Sequence, residues 1–117
     1  MQITEQYLNK LAETLWAEYC EVFPKLVKFD CPKIILNSRL SSTAGRCFAS
    51  QNYIDLATKL FTRNRDAMLR EILPHEIAHQ IDYNLNGEPN GKWHRESWKI
   101  VMVKIGQSPT RCHNLTV

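Results

Sequence analysis

Residues 75–79, which read His-Glu-Ile-Ala-His, hold the clearest chemical signal in this sequence. Side chains four positions apart share one face of an α-helix, so the imidazoles of His75 and His79 can bind one metal ion. Two neutral imidazoles suit zinc, and a hydrolytic zinc site leaves one coordination position for water. Glu76 is the candidate catalytic residue, because a carboxylate beside the first histidine can act as a general base toward that water. The alternative interpretation is a salt-bridged helix that carries two surface histidines.

A hydrolytic zinc site needs a third protein ligand, and His94 is the candidate. It follows His79 by fifteen residues, across a Gly- and Asn-containing loop that lets the chain reverse direction. Asp82 and Glu96 are alternative ligands, and Asp82 is instead expected to orient an imidazole N–H. An exposed position at the start of a helix is the alternative interpretation of His94. We therefore predict one Zn²⁺ per chain, held by His75, His79 and His94.

The elements that position these residues follow from the spacing of apolar side chains. Thr4 is the predicted N-cap of an amphipathic first helix that ends before Pro24. A period of two predicts short strands in the middle third, the last two joined as an antiparallel hairpin. Pro74 interrupts the next helical stretch, so either a kink or a fresh helix start is expected there. The predicted elements are a helix at residues 4–23, strands at 33–37, 45–50 and 53–57, a helical stretch at 66–87, a last helix at 94–105 and a short strand at 112–117.

Length and composition favour one soluble domain that spans residues 1–117. Hydrophobic residues make up 44% of the chain and charged residues 23%, and the net charge of +3 is too small to indicate nucleic-acid binding by itself. The four cysteines lack CxxC spacing, so we expect free and mostly buried thiols. The sequence shows neither a signal peptide nor a run of about 18 apolar residues, so we expect a cytoplasmic monomer with no membrane partner.

Several stretches together resemble one family, the SprT-like (Spartan-type) zinc metallopeptidase domain, over nearly the whole chain. The resemblance implies an α+β, zincin-like fold with an N-terminal helix, a small antiparallel sheet of about three strands, the metal-bearing helix and a final helix. It also implies that His75, His79 and His94 are zinc ligands and that Glu76 is catalytic. The matching stretches are Ser42-Thr43-Ala44-Gly45, Tyr53-Ile54-Asp55-Leu56-Ala57, Leu73-Pro74-His75-Glu76-Ile77-Ala78-His79, His94, Trp98, Ile105-Gly106 and Pro109-Thr110-Arg111-Cys112-His113.

The resemblance also implies a substrate. Members of the Spartan branch cleave proteins crosslinked to DNA, and binding to DNA controls that cleavage. Peptide substrates of such enzymes pair with an edge strand beside the metal, so the hairpin at 45–57 is a candidate platform. Trp93, Arg95 and Tyr53 are the candidate substrate-binding residues. The family commonly has glycine where this chain has Arg95. Many bacterial members continue into a C-terminal zinc ribbon, and we expect this chain to be a minimal form without that ribbon.

Two hypotheses from different classes account for these features. The first is a zinc-dependent endopeptidase that hydrolyses peptide bonds, with DNA-associated or DNA-crosslinked proteins among its substrates. The second is a non-catalytic, zinc-stabilised module that binds DNA or protein. An intact Glu76 favours the enzyme, because a purely structural zinc site does not use it. Single-stranded DNA is a further candidate partner, through basic residues near the cleft, and a phage-encoded copy would act in the host cytoplasm. These basic residues are Arg63, Arg65, Lys92, Arg95 and Lys99.

Overall fold

The computed structural model describes residues 2–110, which fold as helices around a three-stranded sheet. This arrangement confirms the predicted α+β class. The predicted strand at 112–117, together with Cys112 and His113, lies outside the described residues. The elements in chain order are α1 (Glu5–Val22), β1 (Lys33–Asn37), β2 (Gly45–Phe48), β3 (Tyr53–Ala57), α2 (Phe61–Ala67), α3 (Leu73–Asn86) and α4 (Glu96–Lys104).

Helix α1 begins where the capping residue predicts. The backbone N–H of Tyr7 donates to the Thr4 hydroxyl over 3.1 Å, which satisfies one of the unpaired donors of the first turn. The helix ends one residue before Phe23, and Pro24 opens a short 3₁₀ turn. Its buried side chains recur at helical spacing and form one wall of the core; they are Leu8, Ala12, Trp16 and Tyr19.

The sheet has the strand order β1-β3-β2, and it is mixed, not wholly antiparallel as predicted. Strands β2 and β3 form the predicted antiparallel pair, with Gly45 opposite Leu56. Strand β1 runs parallel to β3, with Lys33 opposite Tyr53. The hairpin is local and therefore visible in the sequence, whereas the direction of β1 depends on a crossover that packing decides. Strand β2 also ends at Phe48, since a 3₁₀ turn follows it.

Side chains of α1 cover the outer edge of β1. The side-chain amide of Asn9 accepts from the Ile34 N–H over 2.9 Å and donates to the Ile34 carbonyl over 2.8 Å. Glu5 accepts from the Leu36 N–H over 2.7 Å. Among residues 2–110 no other strand pairs with these backbone groups, so the side chains of α1 satisfy them at the outer edge of β1. The other outer strand of the sheet is β2, which packs against α3.

Helix α3 is the central element, and every residue from Leu73 to Asp82 is buried. A turn of π-helix at Met68–Ile72 leads into it without a break, since Ile72 and Leu73 both have right-handed helical φ and ψ. Pro74 lies in the first turn of α3, directly after this π-helical turn. Of the two outcomes expected at Pro74, the structure does not show a fresh helix start; the irregularity is the π-helical turn before the proline. Gly87, with φ of +80°, ends the helix as predicted.

Helix α4 begins at Glu96, two residues after the predicted start, because the backbone of Arg95 is extended. Cys20, Cys31 and Cys47 are free as predicted, but they are partly buried and not fully so. Within residues 2–110, no helix has both the length and the apolar character that a membrane span requires.

Candidate metal centre

The structure brings the three predicted histidines together. Helix α3 presents His75 and His79 one turn apart, and the segment before α4 supplies His94. One nitrogen from each ring lies within 4.8 Å of the others, and the Nε2 atoms of His75 and His94 are 3.3 Å apart. In the described part of the chain this is the one such cluster, and it includes neither Asp82 nor Glu96.

The surroundings favour the neutral imidazole, which is the form that binds a metal ion. Burial, followed by the neighbouring His75 and His94, lowers the pKa of His79 to about 3, and a hydrogen bond with the Trp93 backbone only partly opposes the shift. Both histidines of α3 are buried, and His94 is partly exposed. Three convergent imidazole nitrogens, two of them in a desolvated pocket, fit a metal ion that remains reachable from solvent.

The indole of Trp98 forms the floor beneath these rings. It is fully buried, and its ring centroid lies 4.9 Å from that of His75, 5.1 Å from His79 and 4.7 Å from His94. The helical spacing of Trp98 in the sequence predicts a core position, which the structure confirms. Its contact with the ligands has no such signal, because the extended backbone of Arg95 places His94 outside α4.

Glu76 lies beside the histidines, with its Oε2 atom 3.9 Å from the Nε2 atom of His75. Burial, with a smaller contribution from the negative charge of Asp55, raises the pKa of Glu76 to about 8. Strand β2 packs closely on this side chain at Gly45, where an added Cβ would lie 3.3 Å from the Cγ of Glu76. The absence of a side chain at position 45 therefore leaves room for the carboxylate beside the sheet.

A cleft of about 260 Å³ opens over this cluster. One wall belongs to α3 and the preceding turn, and the other belongs to the start of β2. The cleft thus joins the candidate ligands, the candidate base and an edge strand in one space. Its lining residues are Ala44, Gly45, Ile72, His75, Glu76, His79 and His94.

Comparison with known proteins decides the family. A model described as the SprT-like family matches residues 5–117. The chain belongs to the SprT-like family. Protein SprT of Vibrio atlanticus (strain LGP32) is 35% identical to it over 91 residues, which cover 77% of this chain and 53% of the relative. Protein SprT of Vibrio parahaemolyticus serotype O3:K6 (strain RIMD 2210633) is 37% identical over 92 residues, which cover 76% of this chain and 53% of the relative.

A third relative shows how far the similarity extends along the SprT-like chain. Protein SprT of Pseudomonas paraeruginosa (strain DSM 24068 / PA7) is 29% identical over 113 residues, which cover 96% of this chain and 66% of the relative. The chain spans about half the length of the Vibrio relatives. No solved structure matches it.

The three predicted substrate-binding residues of this SprT-like chain have different surroundings. Trp93 lies beside the centre, with its ring centroid 6.1 Å from that of His79, and it lines an adjoining hollow with Lys92. Tyr53 stacks on Phe48 at 4.5 Å and is absent from the cleft lining. Of the other basic residues proposed for DNA, Arg65 lies over the ring of Tyr7 on α1.

Arg95 and Asp82 contact each other, and this corrects the role predicted for Asp82. The Arg95 Nε donates to Asp82 Oδ2 over 2.8 Å, and the Asn86 amide donates to Asp82 Oδ1 over 2.9 Å. Asp82 therefore accepts from a guanidinium and an amide, not from an imidazole N–H. It sits one turn beyond His79, where the helix directs it toward the chain that follows His94.

Proposed function

We propose that this chain is a zinc-dependent endopeptidase. The observation that carries the proposal is the convergence of three imidazoles beside a buried Glu76 in an open cleft. A purely structural zinc site is closed by four protein ligands, whereas these three leave a position for a reactant. Family membership supports the same function, since the SprT-like resemblance implies a metallopeptidase.

The roles of the residues follow from their positions. His75, His79 and His94 would hold the zinc ion, which when bound would supply Lewis-acid activation of water and of the scissile carbonyl. The positive charge of a bound zinc ion would favour the ionised form of Glu76. In that form Glu76 accepts the proton of the attacking water and then delivers it to the leaving amine nitrogen. The floor of Trp98 keeps the three rings in place.

Strand β2 is the proposed platform for the substrate. It is an outer strand of the sheet, its first residue Gly45 lines the cleft, and the edge of β1 is already covered by α1. An extended peptide that pairs with β2 would pass over the metal site, which places a backbone carbonyl near Glu76. Main-chain pairing of this kind tolerates many side chains, so a broad range of flexible protein substrates is expected.

The finer part of the proposal concerns proteins attached to DNA. The resemblance to the Spartan branch is its main support, and Lys92 in the hollow beside His94 offers one positive charge near the cleft. A basic residue at that position can contact a phosphate of single-stranded DNA. A zinc-stabilised binding module is the competing function.

The experiment compares a flexible protein alone with the same protein crosslinked to single-stranded DNA, each incubated with zinc-loaded chain. Cleavage that stops when a chelator removes the metal, and resumes on adding zinc, is the expected result. Faster cleavage of the crosslinked protein supports the DNA-linked substrate, and equal rates contradict it. If a chain that holds one zinc ion binds DNA or protein tightly but cleaves neither substrate, the result would contradict the endopeptidase and support the binding module.

A further inference from the structure

An ion pair joins the end of α3 to the residue that follows the third candidate ligand. Asp82 and Arg95 are 2.8 Å apart, and their side chains are 2% and 24% exposed. Such a pair is costly to bury and costly to break, because an unpaired carboxylate would remain inside the protein. Because a buried ion pair is weak evidence for stability, the metal centre beside this pair is the place to seek its role.

The guanidinium of Arg95 also closes a loop. Its Nη2 atom donates to the Gly87 carbonyl over 2.6 Å, while its Nε holds Asp82. Gly87 is the first residue after α3, and Arg95 is the last before α4, so one side chain ties together the two ends of the connecting segment. The planar guanidinium suits this double contact, because its donors are fixed in one plane.

His94 is the ligand that needs such support. His75 and His79 are held by the backbone of α3, whereas His94 lies in the connecting segment next to Arg95. A ligand on a loop loses conformational freedom when it binds a metal ion, and that loss weakens affinity unless the loop is already ordered. The contacts of Arg95 hold the backbone at position 95 and thereby limit where the imidazole of position 94 can lie.

We propose that Arg95 is a positioning residue for His94, and that the clamp formed by Asp82, Arg95 and the Gly87 carbonyl orders the third ligand before the metal binds. The inference rests on the metal site of the proposed function but not on peptidase activity. Residues that orient metal ligands typically contribute about 10- to 100-fold to affinity or activity. We expect loss of the clamp to weaken zinc binding by about that factor.

The test measures zinc affinity by competition with a chromophoric chelator. The variant is Asp82→Asn combined with Arg95→Gln, because removing both charges avoids leaving Asp82 buried and unpaired. Its matched control is Asp66→Asn combined with Arg70→Gln, which makes the same changes in an exposed pair 2.7 Å apart. We expect the clamp variant to bind zinc about tenfold or more weakly, and the control to stay within about twofold of the parent.

A second measurement shows whether the clamp acts through His94. In a His94→Ala background, the clamp substitutions should cause no additional loss of zinc affinity, because the ligand they position is gone. An equal loss with and without His94, or no loss at all, would overturn the inference. If the double variant does not fold by circular dichroism, Arg95→Lys serves instead, and unchanged zinc affinity in that variant would overturn the inference too.

These outcomes separate the clamp from the proposed function. A parent that binds zinc tightly, beside a clamp variant that binds it equally, overturns the clamp alone. A parent that binds no zinc overturns both the clamp and the metallopeptidase. The test does not use peptidase activity. The effect of the clamp on zinc affinity can therefore be measured even if the parent binds one zinc ion but is inactive.

Discussion

The indole of Trp98 lies nearly parallel to the imidazole of His79, with 5.1 Å between ring centroids and 16° between the planes. The same indole meets His75 and His94 edge-on. One buried side chain thus contacts all three candidate ligands and limits how each ring can rotate. Its position on α4 explains how a helix with no ligand of its own supports the metal centre.

Trp98→Leu should weaken zinc affinity as well as stability, because it removes the floor beneath the imidazoles. We expect a loss of about 2–3 kcal/mol in the free energy of unfolding, somewhat below a full truncation to alanine. Urea denaturation of the metal-free protein measures this loss, and chelator competition measures the affinity. Trp16→Leu is the matched control, because Trp16 is also buried but lies on α1. Equal zinc affinity in the two variants would contradict the role of Trp98.

Gly45→Ala should lower activity without changing zinc affinity. The new Cβ would lie 2.9 Å from the Cδ2 of Leu56, 3.2 Å from the backbone carbonyl oxygen of Asp55 and 3.3 Å from the Cγ of Glu76, so β3 and the Glu76 side chain must shift. Overpacking of this kind costs about 1–3 kcal/mol of stability. The three histidines are not among these close neighbours, and metal binding is therefore expected to persist. Reduced cleavage together with weakened zinc binding would show that Gly45 acts on the ligands and not on the base.

Acid should destabilise the fold through Asp55. Burial alone would raise the pKa of Asp55, but hydrogen bonds from Arg46 and Asn37 and the charge of Arg46 outweigh it and hold that pKa below the usual value. A depressed pKa contributes stability above the unfolded-state pKa, and that contribution disappears as the pH falls through the folded-state value. The difference in unfolding free energy between parent and Asp55→Asn should therefore shrink between neutral pH and about pH 3. A constant difference would contradict this account.

Metal removal should lower the melting temperature without unfolding the protein. Within residues 2–110, the hydrophobic core draws on α1, the sheet, α3 and α4 and contains no histidine, so the metal-free chain keeps its own stability. A ligand at 100 times its dissociation constant adds about 2.7 kcal/mol to the folded state. Differential scanning calorimetry with chelator, and then with added zinc, measures the shift. His94→Ala should strongly reduce the increase in melting temperature that zinc causes. An unchanged increase in that variant would show that His94 is not a zinc ligand.

The features that could be predicted are those set by local spacing. Strands β1 and β3 have the predicted bounds because each is a short apolar run between turn residues. The cap at Thr4 and the stop at Gly87 also depend on single residues and their neighbours. The three histidines meet because two are one helical turn apart and the loop is long enough to return the third.

The features that were missed depend on contacts between distant parts of the chain. The parallel direction of β1 follows from its packing under α1 and is not encoded in its own pattern. The partner of Asp82 is thirteen residues away across a loop, and no helical spacing predicts that contact. The stacking of Tyr53 on Phe48 is likewise a property of the assembled sheet. Sequence periodicity shows which face is buried but not what it is buried against.

The most direct test of the central claim is cleavage of a flexible protein by the zinc-loaded parent beside Glu76→Gln, with the zinc content of both measured. Glu13→Gln, at an exposed position of α1, is the matched control. General base catalysis typically contributes about 10²- to 10⁴-fold, so Glu76→Gln should lose at least about 100-fold in turnover while it keeps one zinc. Glu13→Gln should match the parent. Full turnover by Glu76→Gln would contradict the assignment of the general base, and the absence of cleavage by a zinc-loaded parent would contradict the peptidase.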